Sequence, residues 1–118
     1  MALILVADDE YLLAVLLADT LVEEGHEVVI ASNGRAALER MRERRPALVI
    51  TDFMMPIMTG LELAEAVRAD AELADVPIIL VSGAQGSLAR TRAELFAAII
   101  DKPYADELLL VEVRRVLG

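Results

Sequence analysis

Three carboxylates, a hydroxyl and an ammonium stand at the ends of separate apolar runs in this chain. Asp8 and Asp9 follow Leu3–Ala7, Asp52 follows Leu48–Thr51, Ser82 follows Ile78–Val81, and Lys102 follows Ala97–Asp101. Brought together, three carboxylates repel one another unless a cation neutralises them. An all-oxygen set without histidine suits Mg²⁺, with Mn²⁺ also compatible, rather than zinc. Magnesium keeps several waters and usually completes its shell with a phosphate. Lys102 adds a compact positive charge, and the Ser82 hydroxyl can donate to an anionic oxygen. Together these groups make a site for a phosphoryl group. A carboxylate can itself be the acceptor, giving an aspartyl phosphate, and Asp52, central among the runs, is the best placed to be it.

Such groups converge only if the runs are neighbouring strands that point the same way. Short, continuously apolar runs read as strands buried on both faces, and in an open parallel sheet ligands bind beyond the carboxyl ends of the strands. Helix patterns separate the strands. About Glu10 to Glu24 carries Leu13, Leu16, Leu17 and Leu21 on one face, with Gly25 as its stop. After a short strand, Glu27–Ala31, Ser32-Asn33 can cap a helix bearing Ala37, Leu38 and Met41 that ends before Pro46. Thr59 and Glu62 form a capping box for a helix through Val67. Gly86 to Glu94 is weakly periodic and reads best as a helix, Phe96 to Ile100 as the fifth strand. A last helix after Pro103 carries Leu109, Val113, Val116 and Leu117. Five strand-helix units imply an α/β, doubly wound (βα)5 three-layer sandwich of flavodoxin-like type. Its parallel five-stranded sheet would have the order 2-1-3-4-5, with a switch point between the first and third strands.

Composition narrows the class. The chain has 118 residues, enough for one domain with its own core, and it is 57% hydrophobic. It contains no cysteine, which removes thiol redox chemistry and cysteine-based zinc sites. Lys+Arg 11 against Asp+Glu 20 gives a net charge of −9, which opposes direct nucleic-acid binding and suits a cation or a basic partner. No apolar segment approaches a membrane span and no signal peptide opens the chain, so a cytoplasmic protein without a membrane partner is expected.

Asp8-Asp9-Glu10, the run Asp52-Phe-Met-Met-Pro-Ile-Met-Thr-Gly60, Ser82-Gly83 and Lys102-Pro103 resemble, in that order and at these spacings, the receiver domain of bacterial two-component response regulators. The resemblance covers Leu3 to Leu117, so residues 1–118 read as one receiver domain of the single-domain, chemotaxis-receiver-like kind. It implies that Asp52 accepts a phosphoryl group from a histidine kinase or a phosphotransfer protein and is not a turnover enzyme beyond its own phosphorylation and dephosphorylation. It implies a Mg²⁺ ligand set of Asp9, Asp52 and the Met54 carbonyl, with Asp8 acting through water. It assigns Met54 and Gly83 to the phosphoryl group's surroundings and Ser82 and Lys102 to reading it, with a switch in partner binding as the outcome. The downstream target is not legible, and assembly with a second copy is compatible. A cis bond before Pro103 is implied too. One departure concerns output: the aromatic ring that receivers usually carry three residues before the lysine is Ile99 here. Met54 and Ala84, two residues after Asp52 and Ser82, offer no group to orient an attacking water, so the phosphorylated form is not expected to be unusually short-lived.

Each residue also has an ordinary reading. Asp8 and Asp9 can be carboxylates favoured by a helix N-terminus. Ser82-Gly83 can be turn chemistry and Lys102 a solvated charge. Met54, Met55 and Met58 are loop packing rather than ligands, because thioethers bind hard cations poorly. His26 reads as a surface residue, and Arg40, Arg42, Arg44 and Arg45 as a solvated helix end. A haloacid-dehalogenase-type phosphohydrolase would want a second aspartate at Met54. A receiver that acts only as an interaction module would have lost Asp52 or Lys102. A fragment of a longer response regulator or hybrid kinase would read the same over these residues.

Overall fold

A computed structural model describes residues 1–83 and 89–118. Five parallel strands, β1 (Leu3–Ala7), β2 (Glu27–Ala31), β3 (Leu48–Asp52), β4 (Ile78–Ser82) and β5 (Ala98–Asp101), form one sheet in the order β2-β1-β3-β4-β5. The expected switch point is therefore real, with β1 between β2 and β3. Four α-helices are described: α1 (Tyr11–Glu23), α2 (Gly34–Glu43), α3 (Gly60–Ala69) and α4 (Asp106–Leu117). None is long and apolar enough to cross a membrane.

Alternate strand residues feed two cores. Leu5, Val49 and Ile78 meet Leu38 and Met41 of α2 and Leu63 and Val67 of α3 on one face. Ile4, Val6, Ile50, Ile79, Val81 and Ile100 meet Ala14 and Leu21 of α1 and Leu109 and Val113 of α4 on the other. β3 and β4 are buried along their whole length, which is why they lack polar alternation. The side chain of Asn33 accepts from Ala36 N, and the Thr59–Glu62 box closes in both directions, as the sequence predicts.

Three details differ from the sequence reading. In α1 the core side is taken by Ala14, Ala18 and Leu21, with Leu17 partly buried, while Leu13 and Leu16 are 45% and 55% exposed. Small alanines let that helix lie close to the sheet, so the leucines on its flank stay outside. The fifth strand is Ala98–Asp101 and not Phe96–Ile100, because Phe96 N closes the 3-10 turn (Ala93–Leu95) on Ala93 O, and the first bond to β4 comes from Ala97 N to Ile78 O. The helix expected over 86–94 lies partly outside the described residues. His26 is half-buried rather than free on the surface, and its Nδ1 accepts from Ala2 N at 3.2 Å.

Candidate functional site

The site is assembled by the sheet register. Ala7 pairs with Thr51, so Asp8 stands level with Asp52; Asp52 pairs with Val81, and Ser82 with Asp101, one step before Lys102. Ladder bonds continue past the strand ends and fix the next residues. Asp8 N donates to Ala31 O at 3.0 Å, Phe53 N to Val81 O at 3.0 Å, and Lys102 N to Ser82 O at 2.8 Å. Side chains from four strand ends therefore share one edge, although Asp8 and Lys102 are 94 positions apart (102 − 8).

Asp8, Asp9 and Asp52 each offer a carboxylate oxygen, and these oxygens lie within 4.8 Å of one another. Asp52 is buried, Asp8 half-buried and Asp9 exposed, so the cluster opens outward. Burial holds the Asp8 carboxyl above its ordinary value; Asp52 and Asp9 add to this, and the hydrogen bond from Glu10 N at 2.9 Å opposes it. Lys102 Nζ lies 2.9 Å from Asp52 Oδ1. Burial works against its ammonium, but the hydrogen bond and charge of Asp52, with Asp8 and Glu10 behind, outweigh it and hold the lysine above its ordinary value. It is the sole lysine of the chain, the other basic residues all being arginine. Ser82 is 0% exposed, and its Oγ has no hydrogen-bond partner among the described residues. A buried hydroxyl left unpaired costs about 1–3 kcal/mol, and this one stands at the end of β4, one residue past the Val81 that pairs with Asp52.

The loop after Asp52 is held tightly. Gly60 N donates to Phe53 O at 2.8 Å, and a Cβ on Gly60 would run into Asp52 O and come 2.9 Å from Leu80 Cδ1, so only glycine fits. Ile57 has φ +69° while Met58 N donates to Pro56 O at 2.7 Å, a tight three-residue turn that a β-branched residue adopts under strain. Met54 is 54% exposed beside the site. Gly83 follows Ser82 in open space, Ile99 lies partly buried on the α3 side of the sheet, and the peptide bond before Pro103 is cis. Ala84 lies outside the described residues.

Of the residues expected at the site, Asp8, Asp9, Asp52 and Lys102 come together, with Ser82 at the end of the adjacent strand. Sequence reasoning missed Tyr104. It lines a groove of about 710 Å³ that runs from Asp8, Asp52 and Lys102 between α1 and α4, over Val6, Ile50 and Val81. The available signal was an aromatic residue directly after Lys102-Pro103.

A five-stranded 2-1-3-4-5 sheet with an acidic edge is the architecture of receiver domains. The profile of the response regulator receiver domain matches residues 4–114, and the chain belongs to that family. Among its relatives, the polar-differentiation response regulator DivK of Brucella anthropi is 30% identical over 117 residues, covering 98% of this chain and 95% of that protein. A chemotaxis protein CheY homolog of Campylobacter jejuni is 35% identical, with 98% and 92% covered. The signal receiver domain of a histidine kinase from Syntrophus aciditrophicus superposes with a TM-score of 0.91 at 30% identity, covering 99% of this chain and 90% of that one.

Proposed function

We propose that Asp52 is the phosphoryl acceptor of this receiver domain, and that a histidine kinase or phosphotransfer protein supplies the group. The observation that carries the reading is the juxtaposition of Asp52 with Asp8 and Asp9 on one side and Lys102 Nζ at 2.9 Å on the other. Every side-chain donor of the acidic cluster is a carboxylate oxygen, a set that fits a hard divalent cation, Mg²⁺ with Mn²⁺ compatible. Asp9 and Asp52, the Met54 carbonyl, and Asp8 through water would hold it. When bound, the cation neutralises charge on the phosphoryl oxygens and on Asp52.

The chain's own residues do the rest. An Asp52 carboxylate oxygen attacks phosphorus in line, the P–N bond to the donor histidine breaks, and the imidazole departs with the bonding pair and takes up a proton. Lys102, kept charged by its surroundings, leaves its ion pair with Asp52 and follows the phosphoryl oxygens. Ser82 donates its hydroxyl to another of them and so gains the partner that it lacks. Gly83, next along the chain, would lie in the surroundings of the phosphoryl group. The resulting shift changes which partner the domain binds, a signalling role rather than substrate turnover.

Mass spectrometry after incubation with acetyl phosphate and Mg²⁺ tests the reading. Wild type is expected to gain one phosphoryl group and Asp52→Asn none; no gain in wild type, or an equal gain in the variant, overturns it.

A further inference from the structure

Ile99 is poorly suited to carry a signal outward. It lies partly buried against the cluster of Phe53, Leu80 and Ala89, and a β-branched side chain on a strand is held at χ1. It has no ring to exchange between a buried and an exposed position.

The aromatic residue nearest Lys102 along the chain, Tyr104, lies on the opposite face of the sheet. Tyr104 is half-buried against the α1/α4 core and lines the groove of about 710 Å³ whose other walls include Leu13 and Leu17 of α1. Its hydroxyl has no hydrogen-bond partner among the described residues. Burial, with Asp106 adding to it, holds the phenol above its ordinary value, so the hydroxyl stays protonated and can donate. The ring thus has space beside it, a free donor, and a backbone two residues from the ammonium that pairs with Asp52.

We propose that Tyr104 carries the state of Asp52 to the surface between α1 and α4. The inference rests on phosphorylation of Asp52. A phosphoryl group there adds charge and occupies the oxygen edge that Lys102 now pairs with, so Lys102 must find new oxygens. Ser82 turns to the same group, and because Lys102 N is bonded to Ser82 O at 2.8 Å, the two move as one piece. The displacement passes through Pro103 to Tyr104, whose ring shifts within the groove and repacks against Leu13 and Leu17. The exposed leucine flank of α1, rather than the β5 edge, then reads the switch.

The chain has two tyrosines and no tryptophan, so fluorotyrosine-labelled protein gives two fluorine resonances that Tyr11→Phe assigns. With acetyl phosphate and Mg²⁺, a new Tyr104 resonance is expected to grow in proportion to the phosphorylated mass and to be absent in Asp52→Asn. The Leu13 and Leu17 methyl resonances are expected to shift with it. Tyr104→Leu, which keeps an apolar group in the groove and still gains the phosphoryl mass, is expected to abolish those methyl shifts; Ile99→Ala is expected to retain them. Full phosphorylated mass with an unmoved Tyr104 resonance, or methyl shifts that persist in Tyr104→Leu, overturns the role of Tyr104 alone. Failure of wild type to gain phosphoryl mass overturns the acceptor reading and this inference with it.

Discussion

At Ser82 the cost of function is visible in one atom, since the buried, unpartnered Oγ destabilises the unliganded fold. Ser82→Ala is expected to raise stability by about 1 kcal/mol in thermal melts, while slowing gain of phosphoryl mass from acetyl phosphate. Asp8 carries a similar cost in charge. Its folded pKa lies above the ordinary 3.8, so its contribution to stability is full below that value and is lost as pH rises through the raised one. Asp8→Asn is therefore expected to be more stable than wild type at neutral pH by about 1 kcal/mol, about 4 °C in Tm. That difference should narrow as pH falls toward 3.8. The types and spacing of these residues were legible because each interrupts an apolar run. Which of them pairs with Lys102, and that the Ser82 hydroxyl has no partner among the described residues, depend on distances that no spacing contains.

Among the described residues, backbone strain is concentrated in the loop between β3 and α3. Ile57 is 73% exposed with φ +69°, so its side chain contributes little burial to offset the backbone cost. Ile57→Asn, a residue that tolerates this region, is expected to stabilise the protein by about 1 kcal/mol in denaturant melts. Gly60→Ala should do the opposite, by about 3 kcal/mol, because the added methyl meets the backbone oxygen of Asp52, which cannot turn aside as the end of the Leu80 side chain could. At the other end of α3, the Arg68 guanidinium bonds the carbonyls of Ala74 at 2.9 Å, Val76 at 2.7 Å and Leu95 at 2.7 Å. It clips the segments entering β4 and β5 to one helix. The strands, the Asn33 cap and the Thr59–Glu62 box were legible from local pattern. The Arg68 clip was not, since a cation in a last helical turn reads only as a complement to the dipole. The face of α1 was misread for a related reason: leucine spacing marks a stripe, but alanines decide which side can approach the sheet.

For the molecule as a whole, the acidic edge predicts a link between ion binding and folding. Mg²⁺ at about ten times its dissociation constant should stabilise wild type by about 1.4 kcal/mol in thermal melts, with the gain largely lost in Asp52→Asn and kept in Ser82→Ala. Lys102 adds a second dependence. Its folded pKa lies above the ordinary 10.5, so its pairing with Asp52 stabilises the fold fully below that value and is lost as pH climbs through the raised one. The stability difference between wild type and Lys102→Met should therefore shrink under alkaline titration.

The apolar runs and the polar residues that end them determined, by themselves, the layer architecture, the strand order and the edge where chemistry collects, because parallel strands buried on both faces admit few arrangements. Only the tertiary structure decided that Lys102 rests on Asp52, that the Ser82 hydroxyl is buried without a partner among the described residues, and that an apolar groove lined by Tyr104 opens from the site between α1 and α4. Those features arise from how closely whole elements approach one another, a property set by packing across the sheet and not by the order of residues along it.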